Sequence, residues 1–373
     1  HVPYCARRCG YCAFNTYVID GHRDERAAHR EFVAAASQEL DVAAHALRDA
    51  PPLTSIFIGG GTPSLLDPDL LAALIDHVRA RFAVSPDSEI TVEAHPDDVD
   101  VEVLQSWRAA GTTRVSFGVQ SASERVLHLL DRTHTPDCPA RAVEDAHRAG
   151  IDHVSIELIY GTPGETPDEW ADTIAHAVAL QIDHVSAYAL SIEPGTKLAG
   201  RVRSGRLVAP SGDEAADRYE LADEHFTAHG FDWYEVSNWA RSPAARCRHN
   251  LLYWRNHHWW GIGPGAHSHI AGIRWSNLRT PGDWASSLAR GDQPVGDAEL
   301  LDDDQRRLED VMLGIRTVEG IPLSRLTPDA VASVVGDGLA STEGERLVLT
   351  RRGRLLTDTV VRRLTEDVAP ASG

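Results

Sequence analysis

The sequence opens on His1-Val-Pro-Tyr-Cys5-Ala-Arg-Arg-Cys9-Gly-Tyr-Cys12-Ala-Phe14, and the rest of the chain is read outward from this stretch. Its three cysteines are spaced C-x3-C-x2-C within one short loop. Thiolates this close in sequence can converge on a soft metal centre. A structural zinc site wants four ligands, and no fourth is evident nearby, although His1 or a distant residue could supply it. A cubane cluster held by three cysteines leaves one iron open to a small molecule, which is an arrangement for function rather than for structure.

Outward from the loop, short apolar runs alternate with helical segments. Strands are expected at 53–58, 89–93, 114–120, 153–159 and 184–190, and helices at about 24–48, 67–82, 99–110, 122–131, 137–149 and 166–180. Asp67 before Pro68 reads as an N-cap, and Gly111 and Gly150 as helix stops. The apolar runs are continuous rather than alternating, as in strands covered on both faces. This rhythm is that of a parallel α/β domain. The strand ends carry the chemistry: Gly59-Gly-Gly-Thr-Pro63, Glu93, Gln120, Glu157 and Tyr188. In a β/α barrel that end is where sites are built. A doubly wound sheet is the alternative, and the missing G-x-G-x-x-G fingerprint weighs against a dinucleotide fold.

Ser211 with Glu214 forms a capping box that opens a helix over 211–229. From about 231 the chain turns dense in aromatics and histidine: Trp233, Tyr234, Trp239, His249, Tyr253, Trp254, His257, His258, Trp259 and Trp260. Gly261-Ile-Gly-Pro-Gly-Ala-His-Ser268 follows. A helix is expected over 302–318 and a small mixed unit over 321–365, with a loose tail after about 367. These expectations divide the chain into residues 1–230 and 231–373.

Composition narrows the function. The 373 residues carry a formal net charge of −19, which argues against non-specific binding to nucleic acid or anionic lipid. No apolar run reaches the roughly 18–20 residues of a membrane span, so any membrane contact is expected to be peripheral. Five cysteines, three of them in one loop, do not form a disulfide framework and point to a reducing cytoplasm. The sequence begins at His1 rather than Met, and part of its natural start is expected to be missing.

Glycines at 59–61 let backbone approach a ligand closely, although a tight strand-to-helix turn needs them equally. Glu93 and Gln120 have the reach to hydrogen-bond a ribose diol or an amino group. Arg132 offers a fork to a carboxylate, or else serves as a cap or surface ion pair.

The cysteine spacing, with Tyr11 before the last Cys, resembles the radical S-adenosylmethionine (SAM) superfamily. Together with Gly59-Gly-Gly-Thr-Pro63, Glu93 before a proline-containing turn, Val115-Ser-Phe-Gly-Val-Gln120, Arg132 and Ile156-Glu-Leu-Ile-Tyr-Gly161, it resembles one subfamily. That subfamily comprises the oxygen-independent coproporphyrinogen III dehydrogenases and their heme-chaperone paralogues. The resemblance implies a partial (β/α)6 barrel followed by a smaller α+β domain. It implies a [4Fe-4S] cluster on Cys5, Cys9 and Cys12. It also implies a SAM pocket lined by Gly60, Gly61, Thr62, Glu93, Gln120, Arg132, Glu157 and Ala189, where the family usually has Asp at the position of Glu157.

Two features point to the chaperone branch. Phe14 stands where the dehydrogenases carry a fourth Cys, and His249-Asn-Leu-Leu-Tyr-Trp254 matches the chaperones' H-N-x-x-Y-W motif. The resemblance then implies heme, with His249 as the expected iron ligand and Cys247 as an alternative. It implies transfer to heme-accepting proteins such as respiratory enzymes, and a homodimer. The competing readings are a coproporphyrinogen III dehydrogenase using SAM-derived radical chemistry, and a zinc-binding interaction module.

Overall fold

The computed structural model describes residues 1–19 and 24–366. The tail expected to be loose after about 367 lies outside them.

Two short parallel strands, β1 (Tyr4–Cys5) and β2 (Tyr17–Val18), flank the cysteine loop. Then come α1 (Glu25–Ala46), β3 (Leu53–Ile58), α2 (Pro68–Arg81), β4 (Val84–Ala94), α3 (Val101–Ala110) and β5 (Arg114–Gln120). These are followed by α4 (Glu124–Leu129), α5 (Cys138–Arg148), β6 (His153–Tyr160), α6 (Pro167–Ala179), β7 (His184–Ala189), α7 (Lys197–Arg203) and α8 (Gly212–Ala228). Local signals act as read: Asp67 accepts from the Asp69 N–H at 3.2 Å with Pro68 in the first turn, Gly111 ends α3 at φ +113°, and Ser211 and Glu214 close a capping box.

The molecule is α/β, and its central sheet curls into a partial barrel in the order β3-β4-β5-β6-β7-β9-β8, where β8 is Asp232–Glu235 and β9 Asn238–Ala240. β3 to β7 run parallel, and Val2 of the cysteine segment forms a parallel bridge to Gly60 just past β3. The far edge is closed by β8 and β9, which run antiparallel. Residues 232–240, just past the division expected at 230/231, thus lie in the same sheet as β3 to β7. Their aromatic side chains are the reason: Trp233 and Trp239 are buried in the same core as the barrel helices.

Beyond the sheet lie α9 (Arg248–Trp254), β10 (His267–Ile270), β11 (Ile273–Asn277), α10 (Pro281–Ala289) and β12 (Val295–Leu300). The last segment comprises α11 (Asp303–Gly314), β13 (Ile321–Pro322), α12 (Pro328–Gly336), β14 (Ala340–Glu343), β15 (Arg346–Leu349), α13 (Arg351–Leu355) and α14 (Thr357–Thr365). It has its own core, built on Val311, Ile315, Val334, Leu347 and Val360.

Glu39, buried on α1, docks the region after the barrel. It accepts from Gly263 N at 2.7 Å, Asn277 Nδ2 at 2.6 Å and Trp284 Nε1 at 3.0 Å. Asn15 adds a tether from the cysteine loop, donating to Pro264 O at 3.0 Å and Arg279 O at 2.8 Å. The glycine-rich segment 261–268 is thus a docking strap. Burial raises the Glu39 carboxyl to about 7, against the pull of its three donors. A raised carboxyl stabilises the fold below its unfolded pKa and loses that contribution as pH rises through the folded one. Wild type should therefore lose up to about 3 kcal/mol between pH 5 and 8 relative to Glu39→Gln, read from denaturant midpoints. Parallel pH profiles for the two proteins would refute this.

Candidate cofactor-binding site

The cysteine loop is zipped onto the glycine turn after β3. Val2 N donates to Gly59 O (2.8 Å), Gly61 N to Val2 O (2.7 Å) and Thr62 N to Tyr4 O (2.8 Å). Gly60 N donates to Glu93 Oε2 at 3.0 Å. The glycines are required by this close approach: a Cβ on Gly61 would sit 2.5 Å from Tyr4 O, and one on Gly59 would sit 2.6 Å from Glu93 Oε2. Gly60 has φ +114°. The N–H groups of Gly60, Gly61 and Thr62 are therefore engaged within the protein. The side chain of Thr62 hydrogen-bonds Cys5.

On the other side the loop rests on the β5–α4 region. Gly10 N donates to Leu130 O at 3.1 Å, and Leu198 N to Gly10 O at 2.8 Å. Arg132 bonds Gly118 O and reaches Cys9 Sγ at 3.8 Å. Burial raises the thiols of Cys5 and Cys12, opposed by hydrogen bonds from Thr62 to Cys5 and from the Phe14 backbone to Cys12, and the neighbouring sulfurs add to the rise. All five cysteines are free. Among the described residues no three His, Cys, Asp or Glu side chains converge to hold a single metal ion.

Glu93, next to last in β4, and Glu157, midway along β6, lie close enough for their charges to interact. Burial raises both carboxyls, and the like charge of Glu157 adds to the rise at Glu93. Glu157 accepts from Ser116 Oγ at 2.8 Å. Gln120 closes β5 at φ +67°, a strained setting for a side-chain-bearing residue, and its buried Oε1 has no hydrogen-bond partner. Arg132 Nε is likewise buried without one. Two interacting buried carboxyl groups and an open amide oxygen suit a ligand bearing a cationic group. Ala189 ends β7 in register with Tyr160 and is exposed at the same rim.

His249 stands apart from this group, one aromatic ring away. Its imidazole stacks on Phe57 (centroids 4.6 Å apart, 20°), and the Phe57 ring in turn comes within 2.7 Å of where a Cβ on Gly59 would lie. Nδ1 bonds Ser55 Oγ at 3.0 Å and Nε2 bonds Tyr253 OH at 3.0 Å. Desolvation lowers its pKa to about 4, so the ring is neutral at physiological pH. Cys247 points inward, donating to Glu89 Oε1 at 3.5 Å. Burial holds its thiol protonated, which makes it a poor heme ligand as it stands.

A cavity of about 880 Å³ lies behind Phe57 and His249, between β3, α1 and the strap. Its wall includes the outer edge of β3, which ends the sheet.

Several site residues escaped the sequence reading: Ser55 and Phe57 beneath His249, Glu89 and Arg114 beneath the motif, and Glu235 beside it. The one signal available was a charged residue opening each of two apolar strands, at Glu89 and Arg114.

A curled parallel half-barrel with a three-cysteine loop against its first glycine turn is radical SAM architecture, and the Radical SAM superfamily matches residues 1–177. Coproporphyrinogen III oxidase (HemN) of Escherichia coli shares the fold with a TM-score of 0.83 at 23% identity, covering 98% of this chain and 88% of that one. Heme chaperone HemW of Mycobacterium tuberculosis is 48% identical over 329 residues, 87% of this chain and 83% of that protein. HemW of Bacillus subtilis is 34% identical over 87% of this chain and 84% of that protein, and HemW of E. coli 37% over 75% and 71%. The chain belongs to the heme chaperone HemW family.

Proposed function

We propose that the protein is a heme chaperone that binds a [4Fe-4S] cluster, SAM and heme, and passes the heme to acceptor hemoproteins. The observation that carries this reading is 48% identity with a heme chaperone across 83% of its length, with the His249–Trp254 motif intact.

Cys5, Cys9 and Cys12 would hold the cluster, with Arg132 beside Cys9. Gly60, Gly61 and Thr62 would form the pocket floor. Glu93 and Glu157 would receive the cationic end of SAM, the free oxygen of Gln120 would accept a hydrogen bond from it, and Ala189 would complete the rim. Cluster and SAM together supply one-electron chemistry when bound. His249, held neutral by its surroundings, would ligate heme iron through Nε2 once Tyr253 yields that nitrogen.

Respiratory hemoproteins are the proposed acceptors, the cytoplasm the proposed location, and a homodimer the proposed assembly. The free cysteines support a reducing compartment. Among the described residues no helix is long and apolar enough to cross a membrane.

The test is a heme titration by absorbance on anaerobically reconstituted protein. The expected result is a saturable Soret shift at about one heme per chain, weakened or altered in His249→Ala. No saturable binding in the wild type would remove the chaperone reading. Protoporphyrinogen formed from coproporphyrinogen under anaerobic, reducing conditions would establish the dehydrogenase instead. Binding unchanged in His249→Ala would keep the chaperone and move the iron ligand.

A further inference from the structure

The His249–Trp254 motif sits on a helix of only seven residues, too short to hold its own shape. Its conformation must come from what it docks against. The motif contains two i, i+4 pairs, His249/Tyr253 and Asn250/Trp254, and residues so spaced share a helix face. The first pair is joined by the His249–Tyr253 hydrogen bond already described. The second pair converges on Glu235. Asn250 Nδ2 donates to Glu235 Oε1 at 3.5 Å, and the Trp254 side chain lies near enough to the same carboxyl to pull its pKa down against the effect of burial.

Glu235 is built to receive them. It is 2% exposed at the end of β8, and Asn238 also donates to its Oε1. Asn238 is in turn fixed by Ser186 Oγ at 2.5 Å. The backbone around Glu235 is pinned from outside, by a bridge to Thr317 and by Val318 N donating to Tyr234 O at 2.8 Å. The first turn of the helix has separate anchors: Cys247 N on Tyr234 OH at 3.2 Å and His249 N on Glu89 Oε1 at 3.2 Å. The last turn is anchored through Trp254.

We infer that Glu235 is a positioning residue that fixes the motif helix, and with it the His249 imidazole, by serving as the shared acceptor for Asn250 and Trp254. The asparagine and tryptophan of the motif are thereby given the task of holding the helix. A carboxylate is required because the converging groups are all donors. Glutamine of the same shape keeps one acceptor and turns its other corner into a donor facing donors. The part of the inference that concerns heme rests on the chaperone reading; the part that concerns the helix does not.

The test has two arms on the full chain. In hydrogen–deuterium exchange, Glu235→Gln should speed exchange of amides 248–254 by about tenfold or more while β4 and β5 stay unchanged. Trp254→Phe, which deletes one donor and leaves the carboxylate, should move the same amides less, and it carries the test should Glu235→Gln not fold. In heme titration, Glu235→Gln should weaken binding by about tenfold, the scale of a lost outer-shell partner, and shift the Soret band toward that of His249→Ala. Unchanged exchange in both variants would overturn the inference. Accelerated exchange with an unchanged Soret band would overturn the positioning of His249. If wild type binds no heme, the chaperone reading falls and the exchange arm alone decides whether Glu235 holds the helix.

Discussion

Replacing Cys9 by serine is expected to abolish the iron-sulfur cluster and to leave heme binding in place. Cys9, Cys5 and Cys12 are the proposed ligands, and a cluster on three thiolates does not survive the loss of one to a neutral hydroxyl that binds iron poorly. Iron in anaerobically reconstituted protein should fall from about four per chain to a trace, and SAM affinity should fall with it because the open iron is gone. The loop itself should persist. Its backbone is held by bonds to Gly59, Thr62, Leu130 and Leu198 that do not involve the sulfur. The His249 imidazole touches Ser55, Phe57 and Tyr253, none of them from the loop, so its Soret titration should be close to wild type. Four irons retained in Cys9→Ser would show that this cysteine is not a ligand. Loss of heme binding alongside the iron would show the two sites to be one.

The second large effect is expected at Arg114, which is 1% exposed and pairs with Glu89, 4% exposed, at 3.3 Å. Arg114 also donates to Ser155 Oγ at 2.9 Å and to the carbonyl of Ala245 at 2.8 Å. Arg114→Ala would leave the Glu89 carboxylate buried without its cation, which costs about 3–5 kcal/mol. It would also free the turn at 245–247 that leads into the motif helix. The urea midpoint should drop accordingly, and heme affinity should fall in the same variant. A double replacement of Arg114 and Glu89 by apolar residues would not restore stability fully, because the Cys247 thiol and the His249 N–H would then lack their acceptor. A loss under about 1 kcal/mol in Arg114→Ala would mean that water reaches Glu89 and that the pair is not a buried one.

Both predictions concern residues of different legibility. The cysteine loop was legible as a candidate site, because three thiols within eight residues of sequence are an unusual local pattern. The glycine turn was readable as well, although its reason changed: the glycines are there so that the loop and Glu93 can press against it, and their N–H groups are already taken. Arg114 and Glu89 were read only as strand residues. Their partners lie far away in sequence, Ala245 being 131 residues from Arg114, and no local pattern reports such a contact. Glu235 escaped for the same reason with respect to the barrel. A glutamate at the end of a strand reads as a surface residue until the helix that covers it is in place.

The sequence by itself determined the α/β class, the alternation of strands and helices, the helix starts at Asp67 and Ser211 and the stop at Gly111, the loop of cysteines and the motif of His249. Each of these depends on caps, on the burial pattern of a single element, or on ligand spacing within a few residues. Only the tertiary structure decided that residues 232–240 finish the barrel sheet, that both nitrogens of His249 are engaged, that Glu39 straps the later segment to α1, and that Glu89 and Glu235 accept hydrogen bonds from the motif helix. These outcomes turn on buried polar groups, whose energies depend on whether a partner from a remote part of the chain arrives within hydrogen-bond reach.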